Sequence, residues 1–329
     1  MVALSRRLRR SCTVWLGALV VLAASVAASA QDYPNHAIRI TTPFAPGAVS
    51  DITLRLVADK LSVRLGVPIV IDNMPGGGGV AAARSAASAP PDGYTLTLIS
   101  NATAVSVNMF KRLPFDPRTD FTPIVGLSDF AYVFVTPSGS RHRTLQDIIA
   151  AATANPGKLT FGTSAAGTSN HLTALLFRSV LGLDFVVVPY RGPQELSVAL
   201  LRNDLDVVVN AYGGLRAALE QGQIRPVAVS TPARAPQLPD VPTVQESGVA
   251  NFEVSSWNAL YAPAGTSPDV VARINREVRA VLADNDVQKR FFDLGLEVRA
   301  SPPEELDKRL RLEIERWGRV ITEAGIDRQ

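Results

Sequence analysis

The chain has 329 residues, a formal net charge of +3, 47% apolar residues and 6% aromatic residues. This is the composition of a globular protein, which excludes disordered and fibrous classes, and the length predicts two domains of ordinary size. Four of the arginines and none of the acidic residues lie within positions 1–30. The basic surplus therefore belongs to the N-terminal segment, and the remainder gives no reason to expect a nucleic-acid partner.

Residues 1–30 have the build of a secretory signal peptide. A basic start is followed by an apolar run over about 14–28 and by small residues that end at Ala30, before Gln31. We expect cleavage near this junction and a periplasmic product, because the apolar run is shorter than the ~20 residues that span a bilayer. Cys12, the single cysteine, leaves with the leader. Thiol nucleophiles, cysteine metal sites and disulfides are thereby excluded from the mature chain.

Strand and helix patterns alternate along most of the mature chain. Predicted strands cover 37–42, 68–71, 94–100, 131–136, 159–161, 185–188, 206–210, 226–230 and 253–262. Predicted helices cover 50–65, 80–88, 145–154, 170–181, 193–201, 214–220, 268–283 and 302–324. This alternation favours an α/β fold with mainly parallel sheets and helices on both faces.

The chain is predicted to cross between two lobes near residues 131–137 and 253–263. Lobe one then comprises 31–131 plus 254–329, and lobe two comprises 132–253. Two open sheets joined by two crossover strands form a hinge with a cleft between them. Ligands bind at the carboxyl ends of strands in such sheets, so both lobes can contribute loops to one cleft.

The loop at residues 43–51 lies between the first strand and the first helix. Gly47 and the small residues around it allow close backbone approach, and the helix N-terminus behind them favours an anion. Asp51 is interpreted as structural, because its carboxylate would repel an anionic ligand. The alternative is a plain strand-to-helix turn that is capped by Ser50 or Asp51.

The loop at residues 162–171 offers several hydroxyls and backbone amides at another helix N-terminus. Its start is similar to the Gly-x-Ser-x-Gly elbow of hydrolases, but Ala166 stands in place of the last glycine. His171 is interpreted as a packing or capping residue. A secreted serine hydrolase that uses Ser164 and His171 remains the alternative from another class.

Two further strand ends are candidates for the cleft. Residues 73–79 hold four consecutive glycines but lack the Lys-Ser/Thr of a phosphate-binding loop, which argues against nucleotide binding. At the other strand end, Tyr190 can cover an apolar ligand body, and Arg191 either pairs with a carboxylate or is simply solvated. Three scattered histidines do not form a metal site, and no cofactor is expected.

Taken in order, these loops resemble the periplasmic receptors of tripartite tricarboxylate transporters, also called Bug receptors. The matching segments are 33–34, 43–51, 72–76, 91–94, 113–117, 161–172, 189–192, 238–243, 256–257, 262–266 and 324–326. The resemblance covers essentially the whole mature chain. It implies a two-lobed, type II periplasmic-binding-protein fold that closes on a small ligand, usually a carboxylate.

In that family the carboxylate is held between the first loop and the middle-lobe loop, partly through ordered waters. Carried over by position, the predicted contacts are Phe44, Pro46, Gly47 and Ala48 from one lobe and Thr163, Ser164, Gly167 and Thr168 from the other. Asn73, Asn101, Tyr190, Arg191 and Asn210 complete the predicted set. Ala48 replaces the family's usual second glycine, and its methyl group tightens the pocket or displaces a water.

The resemblance implies a non-catalytic, monomeric receptor that captures a small carboxylate and delivers it to a membrane permease. A receptor that signals to a membrane sensor kinase has the same closed shape, so transport and sensing stay open at this point. The scarcity of cationic residues in the cleft loops favours a monocarboxylate or dicarboxylate over citrate.

Overall fold

The computed structural model of the protein describes residues 33–323, 325 and 328. The predicted export signal and its cleavage site lie outside these residues. The described residues from Ala37 onward form one compact unit. Across the described ranges, no helix is both long enough and apolar enough to cross a membrane.

The described residues contain ten strands; eight form a continuous hydrogen-bonded path, and β8 and β10 each pair with β4 beside it. They are β1 (Ile38–Thr42), β2 (Ile69–Asn73), β3 (Thr95–Ser100), β4 (Phe121–Pro137), β5 (Thr160–Thr163), β6 (Val186–Pro189), β7 (Val207–Ala211), β8 (Ile224–Val229), β9 (Ser255–Pro263) and β10 (Leu296–Val298). The helices are α1 (Val49–Leu65), α2 (Val80–Ala87), α3 (Asn101–Met109), α4 (Leu145–Ala154), α5 (Ser169–Val180), α6 (Pro193–Leu201), α7 (Tyr212–Glu220), α8 (Pro268–Leu282), α9 (Asn285–Asp293) and α10 (Pro303–Glu323). A short 3-10 turn, Gly77–Gly79, precedes α2.

The strands form two sheets that share β4, and each sheet is the centre of one lobe. In lobe one the order is β2-β1-β3-β9-β4, with β10 also on β4. In lobe two, β4 pairs with β7 and β8, and β5 lies between β7 and β6. Strands β1–β3 and β5–β7 run parallel within their own lobes, whereas β4 and β9 are antiparallel to their neighbours because they carry the chain back.

The change of sheet within β4 falls between two adjacent residues. Ala131 is the last residue opposite β9, and Tyr132 is the first residue opposite β7. The second crossing lies beside it, because the Val254 amide donates to the Ser230 carbonyl at 2.8 Å and the Ser230 hydroxyl accepts from the Tyr132 amide at 2.9 Å. Ser230 is fully buried and ties the two crossings together.

Each lobe has its own apolar core. In lobe one, Trp257 and Tyr261 of β9 pack with apolar side chains of α10, which are Leu306, Leu310 and Ile314. In lobe two, Phe161 stacks on Phe185 with ring centroids 3.8 Å apart, and Phe177 packs against both. The loops between the lobes are thus anchored on two separate packed cores.

Four elements differ from the sequence prediction, one of which is the short strand β10, which pairs with β4 and lies outside every predicted strand. Helix α3 was not predicted, because it is buried on almost every side and so has no amphipathic period. Helix α9 was also not predicted; it begins directly after α8, with Asp284 as its N-cap. Strand β4 begins at Phe121 instead of near 131, because its first half pairs with β9.

Candidate functional site

A cavity of about 80 Å³ lies between the lobes at the carboxyl ends of β1, β5 and β7. Lobe one contributes the loop after β1 and the start of α1, lobe two contributes the loop after β5 and the end of β7, and β4 supplies a wall. The lining residues are Phe44, Ala48, Val49, Ser50, Phe130, Tyr132, Ser164, Thr168, Ser169, Asn170, Asn210, Ala211 and Gly214.

Two helix N-termini, one from each lobe, meet at this cavity. Helix α1 begins after Ala48 and helix α5 begins after Thr168, and in the described part neither N-cap side chain accepts a hydrogen bond from a backbone N–H of its own helix. The first N–H groups of a helix have no intrahelical acceptor, and the helix dipole places partial positive charge there. Ser50 and Ser169 add hydroxyls. None of the described residues that line the cavity is charged.

Asn170 organises the lobe-two side of the cavity. Its side-chain nitrogen donates to the Ser164 hydroxyl at 2.9 Å and to the Val209 carbonyl at 3.2 Å. Its side-chain oxygen accepts from the His171 amide at 3.1 Å. The amide therefore links the loop after β5 to the end of β7.

Thr168 lines the cavity, but its hydroxyl is engaged within its own loop. The Thr168 Oγ1 lies 2.6 Å from the Ala165 carbonyl and 2.7 Å from the Asn170 side-chain oxygen, both of which are acceptors. A hydroxyl has a single proton. Thr168 consequently presents lone pairs, and no proton, to the cavity.

An aromatic wall closes the side formed by β4. Phe130 and Tyr132 pack edge to face with ring centroids 5.7 Å apart. Burial raises the pKa of Tyr132 to about 12, although side-chain hydrogen bonds with Ser256 and Ser169 act in the opposite direction. Tyr132 therefore stays neutral, and its ring forms part of an otherwise apolar surface that Phe44 extends.

Asp51 holds the first loop from within lobe one. Its carboxylate accepts from the Gly47 amide at 2.9 Å, from Arg55 at 3.0 Å and from the Asn73 side chain at 2.7 Å. Asn73 also donates to the Phe44 carbonyl at 2.9 Å. Burial raises the pKa of Asp51, but the hydrogen bonds from Arg55, Asn73 and Gly47 outweigh it and leave the pKa below its usual value.

The two lobes also touch at the mouth of the cavity. A Cβ placed on Gly167 would lie 3.1 Å from the Gly78 backbone nitrogen, so the two backbones are in close contact. On another side, Arg216 of α7 donates to the Asp293 carbonyl at 3.0 Å. The lobes therefore touch through backbone atoms at Gly167 and Gly78 and through the Arg216 side chain at Asp293.

The structure brings only part of the predicted residue set to the cavity. Five of the predicted contacts line it: Phe44, Ala48, Ser164, Thr168 and Asn210. Eight others do not: Pro46, Gly47, Asn73, Asn101, Thr163, Gly167, Tyr190 and Arg191. A ligand contact by any of these residues stays a prediction. Eight lining residues had not been proposed: Val49, Ser50, Phe130, Tyr132, Ser169, Asn170, Ala211 and Gly214.

Several of the eight outlying residues have clear structural contacts instead. Asn101 is fully buried and accepts from the Trp317 indole at 2.7 Å. The Thr163 hydroxyl donates to the Ser164 carbonyl at 3.0 Å. Tyr190 packs against the lobe-two core, and Arg191 is exposed. These positions favour supporting roles.

A pattern in the sequence could have indicated the aromatic wall. Phe130 and Tyr132 alternate on the segment that was expected to cross between the lobes, so their side chains share one face. Phe130 lies on the lobe-one half of this strand and Tyr132 on its lobe-two half, and both line the cavity between the lobes. The shared face of Phe130 and Tyr132 becomes evident only when the strand is extended from its predicted range, 131–136, to its full length, Phe121–Pro137.

Ser164 and His171, the two residues of the hydrolase alternative, each form hydrogen bonds with other groups of the described chain. The Ser164 hydroxyl accepts from Asn170, and the His171 Nδ1 accepts from the Gly167 amide at 3.4 Å. Burial, together with nearby Arg178, lowers the pKa of His171. In the part of the chain that the structure describes, no hydrogen bond links Ser164 to His171, and no group of acidic, histidine or cysteine side chains could hold a metal.

This two-lobed α/β fold is similar to that of the periplasmic binding protein BugD, whose solved structure matches 90% of this chain with a TM-score of 0.85 and 28% identity. The chain belongs to the tripartite tricarboxylate transporter family of receptors, whose family model matches residues 53–326. The family and fold predicted from the loops are thereby confirmed.

Relatives of similar length support this membership. Protein BugT of Bordetella pertussis is 30% identical over 311 residues, which cover 93% of this chain and 95% of BugT. A UPF0065 protein from the tcbD-tcbE intergenic region of Pseudomonas sp. strain P51 is 33% identical over 308 residues, covering 93% and 92% of the two chains.

Two solved structures that are similar to this chain carry carboxylates. Rpa4515 of R. palustris with adipate is 31% identical, with a TM-score of 0.85, and the match covers 91% of this chain and 100% of the other. MatC of Rhodopseudomonas palustris with bound malate is 31% identical, with a TM-score of 0.82, and the match covers 88% and 100%.

Proposed function

We propose that this protein captures a small carboxylate in the cavity between its lobes, closes on it and delivers it to a membrane permease of the tripartite type. One observation carries the proposal. The N-terminal ends of α1 and α5, with the hydroxyls of Ser50 and Ser169, line one uncharged cavity from opposite lobes. An anion that both ends contact is bound better by the closed arrangement than by the open one, which drives closure.

The energetics of such a site are sufficient for a receptor. Three or four hydrogen bonds to a charged carboxylate contribute roughly 1.5–3 kcal/mol each. Micromolar affinity requires only about −8 kcal/mol. Adipate and malate in the two R. palustris receptors support a carboxylate ligand.

Titration calorimetry of the mature protein against a panel of monocarboxylates, dicarboxylates and amino acids tests the binding step. At least one carboxylate is expected to bind, and small-angle scattering is expected to report a smaller radius of gyration with it. Ser50→Ala should weaken binding, while Ser62→Ala on the same helix should not, because Ser62 bonds to the Val67 carbonyl away from the cavity. Failure of every carboxylate to bind contradicts the proposal.

Export and delivery form the second half of the proposal. The leader at residues 1–30 supports export to the periplasm as a monomeric receptor, and a mature N-terminus at Gln31, read by mass spectrometry of periplasmic extracts, tests it. Uptake of the labelled ligand into permease-containing vesicles should require the loaded receptor. Permease-dependent uptake that is unchanged without the receptor would favour sensing over transport.

A further inference from the structure

We propose that Asn258 is a positioning residue for the ligand: its side-chain amide donates to the Ser50 hydroxyl and thereby directs the Ser50 proton toward a carboxylate in the cavity. This inference rests on the proposed carboxylate-binding function and deepens it. Ser50 lines the cavity, whereas Asn258 lies behind Ser50 and is not among the described lining residues.

Asn258 joins the cavity to the middle of the lobe-one sheet. It lies on β9, opposite Ser100 of β3 on one side and Ser128 of β4 on the other, and it is buried. The Asn258 side-chain nitrogen donates to the Ser50 Oγ at 2.9 Å. Ser50 belongs to the first turn of α1, so this bond ties a helix N-terminus at the cavity to a strand that has neighbours on both sides. Such a support holds a hydroxyl in one direction more firmly than a loop does.

The bond from Asn258 determines what the Ser50 hydroxyl presents to the cavity. The amide nitrogen carries two protons, and the Ser128 Oγ, 3.5 Å away, lies within reach of one of them. The Ser50 oxygen receives the other, so it accepts through a lone pair and keeps its single proton available. A carboxylate only accepts, so a hydroxyl that presents a proton binds it. Ser50 is thus a donor from lobe one, whereas Thr168 of lobe two presents lone pairs.

Stability alone does not account for an asparagine at position 258. The Asn258 side-chain oxygen is buried and, within the described residues, has no hydrogen-bond partner. An unsatisfied buried polar group destabilises the folded state, and an apolar side chain of similar shape avoids that loss. An amide in these surroundings, whose nitrogen bonds to a residue of the cavity wall, is better explained by ligand binding than by folding.

A double-mutant cycle measured by calorimetry tests this role. The probes are adipate, malate, succinate, hexanoate and glutamate, and the cycle uses each one that binds the wild-type protein. Ser50→Ala is expected to lower affinity about tenfold and Asn258→Ala about fivefold, whereas Asn258→Ala in the Ser50→Ala background should cause no further loss. A purely structural role of Asn258 predicts the same loss with and without the Ser50 hydroxyl, and that result overturns the inference.

The same probes separate this inference from the proposed function. If at least one of them binds but Asn258→Ala leaves its affinity unchanged, the positioning role fails and the carboxylate-binding function stands. If neither these probes nor any carboxylate of the wider panel binds, the proposed function and this inference fail together.

Asn258→Leu separates binding from folding. It keeps a side chain that branches at Cγ but has no polar atom, so the buried oxygen without a partner is removed as well. We expect a native near-ultraviolet circular dichroism spectrum, a thermal midpoint at or above that of Asn258→Ala, and a similar loss of affinity. A folded Leu variant with wild-type affinity contradicts the proposal. Asn108→Ala is the matched control, since Asn108 donates to the Ile314 carbonyl in lobe one and should leave affinity unchanged.

Discussion

Gly167 of lobe two packs against Gly78 of lobe one so closely that a Cβ on Gly167 would lie 3.1 Å from the Gly78 nitrogen and 3.3 Å from its Cα. Both neighbours are backbone atoms, which cannot move aside as a flexible side chain can. The contact lies beside the cavity, next to Thr168 in the chain. Glycine at position 167 therefore permits the lobes to meet.

Gly167→Ala is expected to disfavour the closed arrangement. The added methyl group meets lobe-one backbone, so ligand affinity should fall about tenfold and small-angle scattering should report a larger radius of gyration in the presence of ligand. Gly167 has φ +80°, where a non-glycine residue also costs roughly 1–2 kcal/mol in the folded state.

Gly182→Ala provides the control for that backbone strain. Gly182 has φ +60° in the same lobe, but an added Cβ there has no neighbour within 4 Å. It should lower the free energy of unfolding to a similar extent and leave affinity unchanged. Equal losses of affinity in both variants would show that closure does not depend on the glycine contact.

Thr168 is expected to act through its loop. Thr168→Ser keeps the hydroxyl whose single proton is donated to the Ala165 carbonyl or to the Asn170 side-chain oxygen, so it should retain most of the ligand affinity. Thr168→Ala loses that hydrogen bond and should lower the free energy of unfolding by about 1 kcal/mol, with a smaller effect on affinity than Ser164→Ala has. Calorimetry and urea unfolding measure the two quantities. A larger affinity loss in Thr168→Ala than in Ser164→Ala would contradict the assigned hydroxyl directions.

Asp51→Asn should lower the free energy of unfolding and make that free energy less dependent on pH in the acidic range. The substitution removes a buried carboxylate with three donors, for an expected loss of about 2–3 kcal/mol in the free energy of unfolding near neutral pH. The pKa of Asp51 is lowered from 3.8, so its contribution is complete above pH 3.8 and is lost as the pH falls through the folded-state pKa.

Urea unfolding at several pH values between 3 and 7 measures this dependence. The wild-type protein should lose more stability on acidification than the variant. Asp59→Asn, an exposed position on the same helix, should match the wild type at every pH. A variant with the full wild-type acid dependence would show that Asp51 is not the group responsible.

His171 predicts a second pH effect in a different range. The pKa of His171 is lowered from 6.5 by burial and by Arg178, so the unfolded state takes up a proton before the folded state does. Stability should therefore fall as the pH drops below 6.5. His171→Gln should show a smaller decrease in thermal midpoint between pH 7.5 and pH 5.5. An unchanged pH dependence in this variant would contradict the assignment.

Elements with strong end signals were predictable from the sequence. Helix α4 matches its predicted bounds, because Thr144 and Asp147 form a capping box at its start. Helix α6 also matches, with proline at its first position. Helix α3 was missed since its burial by neighbouring elements leaves no amphipathic pattern for a periodicity argument.

The candidate site was predictable as a pair of loops but not as a set of side chains. The loops after β1 and β5 carry Gly and Ser patterns that indicate helix N-termini. Which hydroxyl faces the ligand depends on neighbours that are distant in sequence, such as Val209 for Asn170. Whether Asn101 contacts ligand or Trp317 likewise depends on the packing of α10, about 200 residues further along the chain.

The position of β9 has a consequence for how the chain acquires its structure. Strand β9 lies between β3 and β4 in the lobe-one sheet, yet it is made only after all of lobe two. Lobe two is nearly continuous in sequence and can form early. In lobe one, by contrast, the edge of β3 stays unpaired until β9, its partner strand, has been synthesised. Such an edge is prone to aggregation, so the chain is most vulnerable between the synthesis of β3 and the synthesis of β9.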